Sequence, residues 1–409
     1  MKTIVQLIIT SLFLLIIKCS TNPIGTTSDT NTLPLKETLL VNSSNSFSFK
    51  LFKKLNVTEE DKNIFVSPMS ISMALGMAYY GANGATKEAM ESTLELSGLT
   101  KEEIGESYKS VIKSLTEFDP KVTLDIANSI WYRYGFDVKR EFIDVTKEYF
   151  SAEVCGLDFN SPFATDTINA WVYDKTHGKI SKILNGPIDA STMMFLINAI
   201  YFAGSWASPF NKYAIDSVRF YKYNHDSTLC KMMVKRGAYR YYSNDLFSSI
   251  DLPYGNSSFS MTLFLPHYGV IIDSLIEEFS NSNWKCWINK LKLDSCEIYL
   301  PKFKVDYSTS LNEILKSLGM EIAFSQGADF TGINQDNGLF ISNVQHNAFV
   351  DVDEEGTIAG AVTSIVITID GSNSHFKTLF FNRPFLFVIH EKNTQSVIFM
   401  GKIMAPNYD

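Results

Sequence analysis

The chain has 409 residues, of which 45% are hydrophobic and 20% are charged. This balance is typical of a globular protein with a large core and excludes an intrinsically disordered chain. The formal net charge of −8, without a lysine- or arginine-rich patch, argues against nucleic-acid binding. It also leaves no basic helix that would bind an acidic polysaccharide.

The N-terminus has the pattern of an export signal. Lys2 precedes an apolar run over 4–17, which is too short to span a bilayer comfortably. We therefore expect residues 1–18 to be a signal peptide. Cys19 then opens a polar stretch without apolar periodicity, and we expect residues 19–44 to form a tether or flexible tail.

The role of this N-terminal segment depends on whether the organism is a bacterium or a eukaryote. In a bacterium, Cys19 would be lipidated and would anchor the protein at the cell surface, although Lys18 replaces the usual small residue. In a eukaryote, the leader would be a plain signal peptide, and three asparagines would lie in glycosylation sequons. These are Asn42, Asn56 and Asn256. Both alternatives predict an exported protein.

Residues 45–409 contain no linker, repeat or low-complexity run, which predicts a single domain. Its first half has helical patterns: Ser67 can cap a helix that starts at Pro68, and helical spacing covers 102–115 and 140–150. Strand patterns dominate later. They cover 124–134, 193–202, 258–265, 297–303, 384–390 and 397–403. Helices first and strands later predict an α+β fold with mixed sheets.

Neither the histidines nor the cysteines form a pattern that indicates an active site or a metal site. The six histidines lack ligand spacing, and neither a nucleophile elbow nor a phosphate-binding glycine loop is present. We expect no enzymatic activity, no cofactor and no metal. Four cysteines are scattered without a C-x-x-C motif, and we expect buried free thiols. They are Cys155, Cys230, Cys286 and Cys296, of which the last two leave a disulfide open.

The segment 351–373 is the most unusual in the chain. Acidic residues lead into Thr357–Ile369, thirteen uncharged residues, more than twice the length of an ordinary strand of about five or six. Taken at alternate positions, one face starts with small residues and ends with large apolar ones. This order suits a segment that slides between two strands, with Gly356 as a flexible pivot. The alternative is an ordinary buried strand.

With these residues in view, the chain resembles the serpin family. Its hinge, Glu354-Glu355-Gly356-Thr357 followed by Ala359-Gly360-Ala361, is similar to the family's, and further signatures recur in order over residues 45–405. These signatures are Asn63–Ile71, Asn128–Trp131, Asn198–Phe202, Gly204–Trp206, Leu300–Phe303, Phe381–Phe385 and Phe399–Lys402.

The resemblance implies the serpin fold, with a helix-rich N-terminal half, three mixed or antiparallel sheets and an exposed reactive-centre loop over about 354–378. It implies a suicide-substrate inhibitor of serine-type, or cysteine, endopeptidases. The cleaved loop inserts into the central sheet and traps the acyl-enzyme as a covalent complex. We expect a monomer that forms loop–sheet polymers on heating. The alternative is a non-inhibitory serpin that acts as a carrier, chaperone or storage protein.

The resemblance also assigns residues to sites. The shutter, where the central strands part, corresponds to Ser67, Ser70, Asn198 and His346. The breach, where insertion begins, corresponds to Trp206, Lys302 and Glu354, with an ion pair expected between the last two. The hinge residues that fit an inhibitor are Thr357, Ala359, Ala361 and Thr363, whereas Ile358 departs from the commoner acidic residue and faces outward on the alternation.

The scissile bond follows from the family's spacing. Seventeen residues counted from Glu354 give cleavage between Asp370 and Gly371. Counting back from the C-terminal side gives Asn373 instead. Cleavage after Asp370 predicts an aspartate-preferring protease, whereas cleavage after Thr368 or Ile369 predicts an elastase-like enzyme.

Overall fold

The computed structural model describes residues 35–211, 215–222, 226–336, 338–357 and 376–408. The helices are α1 (Leu35–Thr58), α2 (Pro68–Gly81), α3 (Gly84–Thr93), α4 (Lys101–Glu117), α5 (Arg140–Phe150), α6 (Ala164–Lys175), α7 (Ile272–Glu278), α8 (Asn281–Lys290) and α9 (Asn312–Leu315). A π-helical turn over Lys316–Met320 and a 3₁₀ turn over Glu321–Phe324 follow α9.

Strands fill most of the second half. They are β1 (Ile64–Val66), β2 (Val122–Arg133), β3 (Glu153–Leu157), β4 (Met194–Ser205), β5 (Ile215–Tyr221), β6 (Ser227–Ser243), β7 (Phe247–Pro253), β8 (Phe259–Pro266), β9 (Lys292–Pro301), β10 (Phe303–Ser310), β11 (Gln345–Val352), β12 (Gly356–Thr357), β13 (Lys377–Phe380), β14 (Phe385–Glu391) and β15 (Val397–Ile403).

The local sequence explains where two of the helices begin. Ser67 caps α2, because its side chain accepts from the Ser70 N–H while Pro68 occupies the first turn, where it removes no helical hydrogen bond. Thr100 and Glu103 form a reciprocal capping box at the start of α4. The helix predicted to start at Pro68 and those predicted over 102–115 and 140–150 are all present.

The strands assemble into two hydrogen-bonded sheets. One has nine strands in the order β1-β15-β14-β8-β7-β6-β9-β13, with β5 paired to β6, and the other has six in the order β10-β11-β12-β4-β2-β3. Three separate sheets were expected. The described strands form two because β7 pairs with both β8 and β6, which joins what would otherwise be two sheets.

The core lies between these sheets, with α2 packed against both β4 and β15. A smaller apolar cluster covers the opposite face of the six-stranded sheet, where Ile168 and Val172 of α6 pack with Trp131 and Ile197. The central strands β4 and β2 are therefore covered on both faces.

Two sequence expectations about ordinary features need correction. The helix α1 begins at Leu35, so residues 35–44 are not a flexible tail; Leu40 and Val41 are buried in the core. The four cysteines beyond Cys19 are free, but only Cys296 is buried, since Cys155 and Cys286 are exposed on β3 and α8. Within the described ranges, no helix is long and apolar enough to cross a membrane.

Candidate functional site

Two of the hinge residues, Gly356 and Thr357, form a strand inside the six-stranded sheet. Gly356 and Thr357 make up β12, in which Thr357 is paired antiparallel with Val352 of β11 and with Gly204 of β4. The reversal from β11 is held by the Asp353 side chain, whose Oδ1 accepts from the N–H groups of Glu355 (2.8 Å) and Gly356 (3.1 Å). The hinge thus starts as an added central strand.

The fit of this strand explains its two residue types. A Cβ on Gly356 would lie 2.2 Å from the Gly204 carbonyl oxygen, so only glycine allows this approach. The sequence suggests that Gly356 is a flexible pivot. In the structure, glycine is required at this position because a side chain would collide with the backbone of β4. Thr357 is 2% exposed, and its hydroxyl lies 2.6 Å from the Tyr254 hydroxyl.

Aromatic residues close the breach around the hinge. The Trp206 ring stacks on Tyr254 with centroids 4.5 Å apart, and its Nε1 donates to the Asp353 carbonyl oxygen at 2.9 Å. The backbone N–H groups of Trp206 and Phe210 donate to the carbonyl oxygens of Glu355 and Glu354, each at 2.9 Å. Three N–H groups, the indole and backbone N–H of Trp206 and the backbone N–H of Phe210, therefore hold the turn from the β4 side.

Charges fix the same turn from the β10 side. Lys302 Nζ lies 2.5 Å from Glu354 Oε2, and both side chains are largely buried, at 16% and 13% exposed. Burial raises the pKa of Asp353, and the negative charges of Glu354 and Asp351 act in the same direction, against the hydrogen bonds from the turn. This end of the sheet holds closely spaced carboxylates that depend on their cationic neighbours.

Below β12, the sheet is open. Among the described residues, β4 and β11 share no hydrogen bonds with each other and are joined only through β12. A cavity of about 370 Å³ lies beside the first residues of both strands, at the ends that are far from β12. It is lined by side chains of α2, β4 and the segment 338–346. The opening continues the line of the hinge strand.

Three of the predicted shutter residues meet at one hydrogen-bonded point. The Ser67 N–H donates to His346 Nε2 at 3.1 Å, and the Ser67 hydroxyl donates to the Ile398 carbonyl oxygen at 2.8 Å. The Ser70 N–H donates to the Ser67 hydroxyl at 3.2 Å. Burial lowers the pKa of His346 to about 4, so its Nε2 is free to accept at neutral pH.

Asn198, the fourth shutter residue, lies on the same cavity as Ser70 and His346 but has a different partner. Its Nδ2 donates to Asn128 Oδ1 at 2.8 Å, and Asn128 in turn donates to the Phe150 carbonyl oxygen at 2.8 Å. Within the described part of the chain, the buried Asn198 Oδ1 accepts no hydrogen bond. The polar set is therefore incompletely paired where the strands are apart.

Sequence reasoning missed two members of this site. Asn128 was part of a recognised motif without an assigned role, and Tyr254 gave no local signal, because its contact with Thr357 joins residues 103 positions apart. The remaining hinge residues, Ala359, Gly360, Ala361 and Thr363, lie outside the described residues. The same holds for the scissile-bond candidates over 368–373 and for Cys19.

The structure is thus an α+β domain in which, among the described residues, the six-stranded sheet is open between β4 and β11, and the hinge strand β12 lies at one end of that opening. A family model described as Serpin (serine protease inhibitor) matches residues 42–406. The chain belongs to the serpin family.

Known relatives cover nearly the whole chain. Human neuroserpin is 31% identical over 369 residues, which is 88% of this chain and 90% of neuroserpin. The thermophilic serpin tengpin in its native state superposes with a TM-score of 0.83 at 32% identity, covering 91% of this chain and 95% of tengpin. Human thyroxine-binding globulin also gives a TM-score of 0.83 at 28% identity, covering 91% and 100%. The family thus includes inhibitory members and a non-inhibitory one that binds thyroxine.

Proposed function

We propose that this chain inhibits serine-type endopeptidases by the one-shot trapping of an acyl-enzyme. The observation that carries the proposal is the position of the hinge. Gly356 and Thr357 form a strand between β11 and β4, next to a stretch of both strands that is unpaired among the described residues. Further residues of the uncharged run Thr357–Ile369 could add to this strand without changing its direction.

The covalent chemistry belongs to the protease. Its serine attacks the carbonyl carbon of the scissile bond, an ester forms, and the new N-terminus of the C-terminal piece leaves as an amine. Trapping requires insertion before water hydrolyses the ester. Each added residue gains backbone hydrogen bonds with β4 and β11, and this supplies the driving force.

The proposal is tested with purified protein and a panel of proteases that includes an elastase, subtilisin, trypsin, granzyme B and a caspase. We expect an SDS-stable complex with at least one of them, and we expect mass spectrometry to find a released peptide that starts at Gly371. Release of a peptide that starts at Ile369, Asp370 or Ser374 would move the bond to Thr368, Ile369 or Asn373.

A matched pair of hinge variants separates trapping from simple cleavage. Thr357→Arg places a charge at a site that is 2% exposed, so the loop should be cut but no complex should accumulate. Ile358→Arg serves as the control, because the alternation predicts an outward side chain, and it should keep the complex. Clean loop cleavage of the unchanged chain by every protease, with no complex, would contradict inhibition.

The class of protease that is inhibited depends on which bond of the loop is cleaved. Cleavage after Asp370 favours an aspartate-preferring protease, and an elastase-like enzyme follows from cleavage after Thr368 or Ile369. The panel distinguishes these targets directly, because granzyme B and the caspase prefer aspartate whereas the elastase prefers small apolar residues.

The second candidate is a non-inhibitory carrier. It is supported by the similarity to thyroxine-binding globulin, which was solved in complex with thyroxine, and by the cavity of about 370 Å³ in this chain. A carrier is expected to be cleaved in its loop without forming a complex and to release a bound ligand on cleavage. An inhibitor is expected to form the complex.

Export of the chain is part of the proposal. A signal peptide over 1–18 predicts a mature N-terminus at or near Cys19, and mass spectrometry of the secreted protein would show whether that cysteine carries lipid. Of the sequon asparagines, Asn256 is exposed, whereas Asn56 is 5% exposed and bonded to Asp273 and Lys402. In a eukaryotic host, Asn256 is therefore the expected glycosylation site.

A further inference from the structure

The C-terminal end of the chain folds back onto the breach. The Lys304 N–H donates to the Asn407 carbonyl oxygen at 2.7 Å, which holds the terminal segment alongside the start of β10. The Tyr408 ring lies close to two lysines of this region, with Lys302 Nζ 5.2 Å and Lys304 Nζ 5.0 Å from its centroid. The serpin family model ends at residue 406, so Asn407 and Tyr408 lie beyond the matched region.

The two lysines pair with carboxylates at the hinge turn and at the end of β11 that leads into it. Lys302 pairs with Glu354 at 2.5 Å, and Lys304 Nζ lies 3.1 Å from Asp351 Oδ2. These carboxylates flank Asp353, whose side chain accepts from the N–H groups of the turn. Tyr408 therefore contacts both cations whose anions lie on either side of the turn.

The chemistry of the Tyr408 side chain suits this place. Its ring attracts both ammonium groups through its π face, and such contacts gain strength when they are partly desolvated. Burial and the nearby charges of Asp351, Asp353 and Glu354 raise the pKa of Tyr408 to about 12. The phenol is neutral at neutral pH and adds no negative charge beside these carboxylates.

We propose that Tyr408 is a positioning residue for the hinge. It braces Lys302 and Lys304, and through their ion pairs it holds the turn from which the β12 strand grows. The inference rests on the proposed function for its consequence, because a loosely held turn would delay insertion and let water hydrolyse more of the acyl-enzyme. Its structural part, the seating of the turn, does not depend on inhibition.

The primary test is hydrogen exchange, followed by mass spectrometry, on the full chain and on Tyr408→Ala. The Trp206 and Phe210 amides donate to the turn, so they report its seating. We expect their exchange to be faster in Tyr408→Ala by about five- to thirty-fold, which corresponds to the loss of two cation–π contacts. Tyr408→Phe keeps the ring and should stay within about two-fold of the unchanged chain.

Tyr268→Ala is the matched control, because the Tyr268 ring stacks on Arg383 at 4.1 Å and is 80% exposed. It should leave both amides unchanged. Unaltered exchange in Tyr408→Ala, or the same acceleration in Tyr268→Ala, would overturn the proposal. If Tyr408→Ala gives too little folded protein, Lys304→Met removes one of the two cations and should accelerate the same amides.

The inhibitory consequence is read separately. With a protease that forms the complex, Tyr408→Ala should consume several-fold more inhibitor per protease trapped, at an unchanged rate of loop cleavage. If exchange is faster in Tyr408→Ala but the unchanged chain forms no complex with any protease, the proposed role of Tyr408 stands and only inhibition is refuted. Complex formation with unaltered exchange would refute the brace alone.

Discussion

The two sheets of this protein differ in how completely they are closed. In the nine-stranded sheet, every residue of β8, β14 and β15 is buried, and these strands pair with neighbours along their length. In the six-stranded sheet, β11 alternates between buried and half-buried positions, and among the described residues it is joined to β4 only through the two residues of β12. In the part of the chain that the structure describes, the first sheet is therefore closed, whereas the second is open between β4 and β11.

The polar groups of the two sheets follow the same difference. Asp251 in the nine-stranded sheet is 3% exposed and accepts from Thr262 at 2.9 Å and Ser260 at 3.2 Å, with His390 Nε2 at 3.5 Å. The shutter beside the open sheet contains a buried Asn198 oxygen with no partner among the described residues. Completed polar networks stabilise one arrangement, whereas an incomplete set loses little when its strands move.

The largest effect is expected in the closed sheet, at Asp251. Burial alone would raise its pKa, but the hydrogen bond and charge of His390, with Lys392 and Thr262, hold the pKa below its ordinary value. Asp251→Ala leaves the buried Ser260 and Thr262 hydroxyls without their acceptor and should lower the free energy of unfolding by about 3–5 kcal/mol. Urea unfolding measures this loss, and the exposed Glu117→Gln is the control.

The same variant tests whether the two sheets are independent. The folded fraction of Asp251→Ala should keep the number of inhibitor molecules consumed per protease trapped, because Asp251 lies outside the six-stranded sheet. A large change in that number, at equal folded protein, would show that the closed sheet takes part in insertion and would break the comparison.

Lowering the pH should destabilise the protein through His346, which lies on β11 of the six-stranded sheet. Its pKa is lowered by burial to about 4, below the ordinary value of 6.5, so the unfolded chain binds the proton more tightly. Stability is then full above about pH 6.5 and falls by on the order of 3 kcal/mol as the pH drops to about 4. Protonation also prevents Nε2 from accepting the Ser67 N–H.

His346→Gln checks this expectation, since its amide oxygen can still accept but does not titrate in this range. The variant should show a shallower loss of stability between pH 6.5 and 4 than the unchanged chain, measured by urea unfolding at each pH. His267→Gln, near Ser248 and away from the opening, should keep the full slope. Equal slopes for all three proteins would contradict the role of His346.

The sequence predicted the closed sheet and the hinge better than the opening. The strand over 397–403 is apolar except at Gly401 and Lys402, and the cap at Ser67 depends on neighbouring residues, so both were found locally. The 17-residue strand β6 was missed, because its polar and apolar residues do not alternate over its length. Tyr254 was missed because only the folded chain brings it to Thr357.

The opening itself has no sequence pattern. Within the described ranges, the cavity lies where β4 and β11 share no hydrogen bonds, and this depends on where the chain places both strands rather than on either strand's residues. The Lys302 and Glu354 positions came from the family resemblance, and their distance of 2.5 Å is a result of the structure. Tyr408 could not be found in the same way, since it lies beyond the family model.

A smaller effect is expected from Gly356→Ala, which tests the seat of the hinge sterically. The added Cβ would meet the Gly204 carbonyl oxygen at 2.2 Å, so β12 should be displaced from the sheet at a cost of about 1–3 kcal/mol to its seating. Faster exchange of the Trp206 amide would measure this displacement. Gly327→Ala is the control, because its nearest neighbour is a flexible side-chain atom at 3.5 Å, and unchanged exchange in both variants would contradict the tight seat.

The smallest effect is expected from the hydroxyl pair of the hinge. Thr357→Val keeps the shape of the side chain but leaves the fully buried Tyr254 hydroxyl without its 2.6 Å partner. Seating of β12 should weaken by about 1–2 kcal/mol, again read as faster exchange of the Trp206 amide. Tyr254→Phe removes the other hydroxyl, and the double variant should be milder than the sum of the two single ones, because no polar group then remains unpaired. Simple additivity would mean that the two hydroxyls do not interact, and that β12 is held by Gly356 packing and by the turn alone.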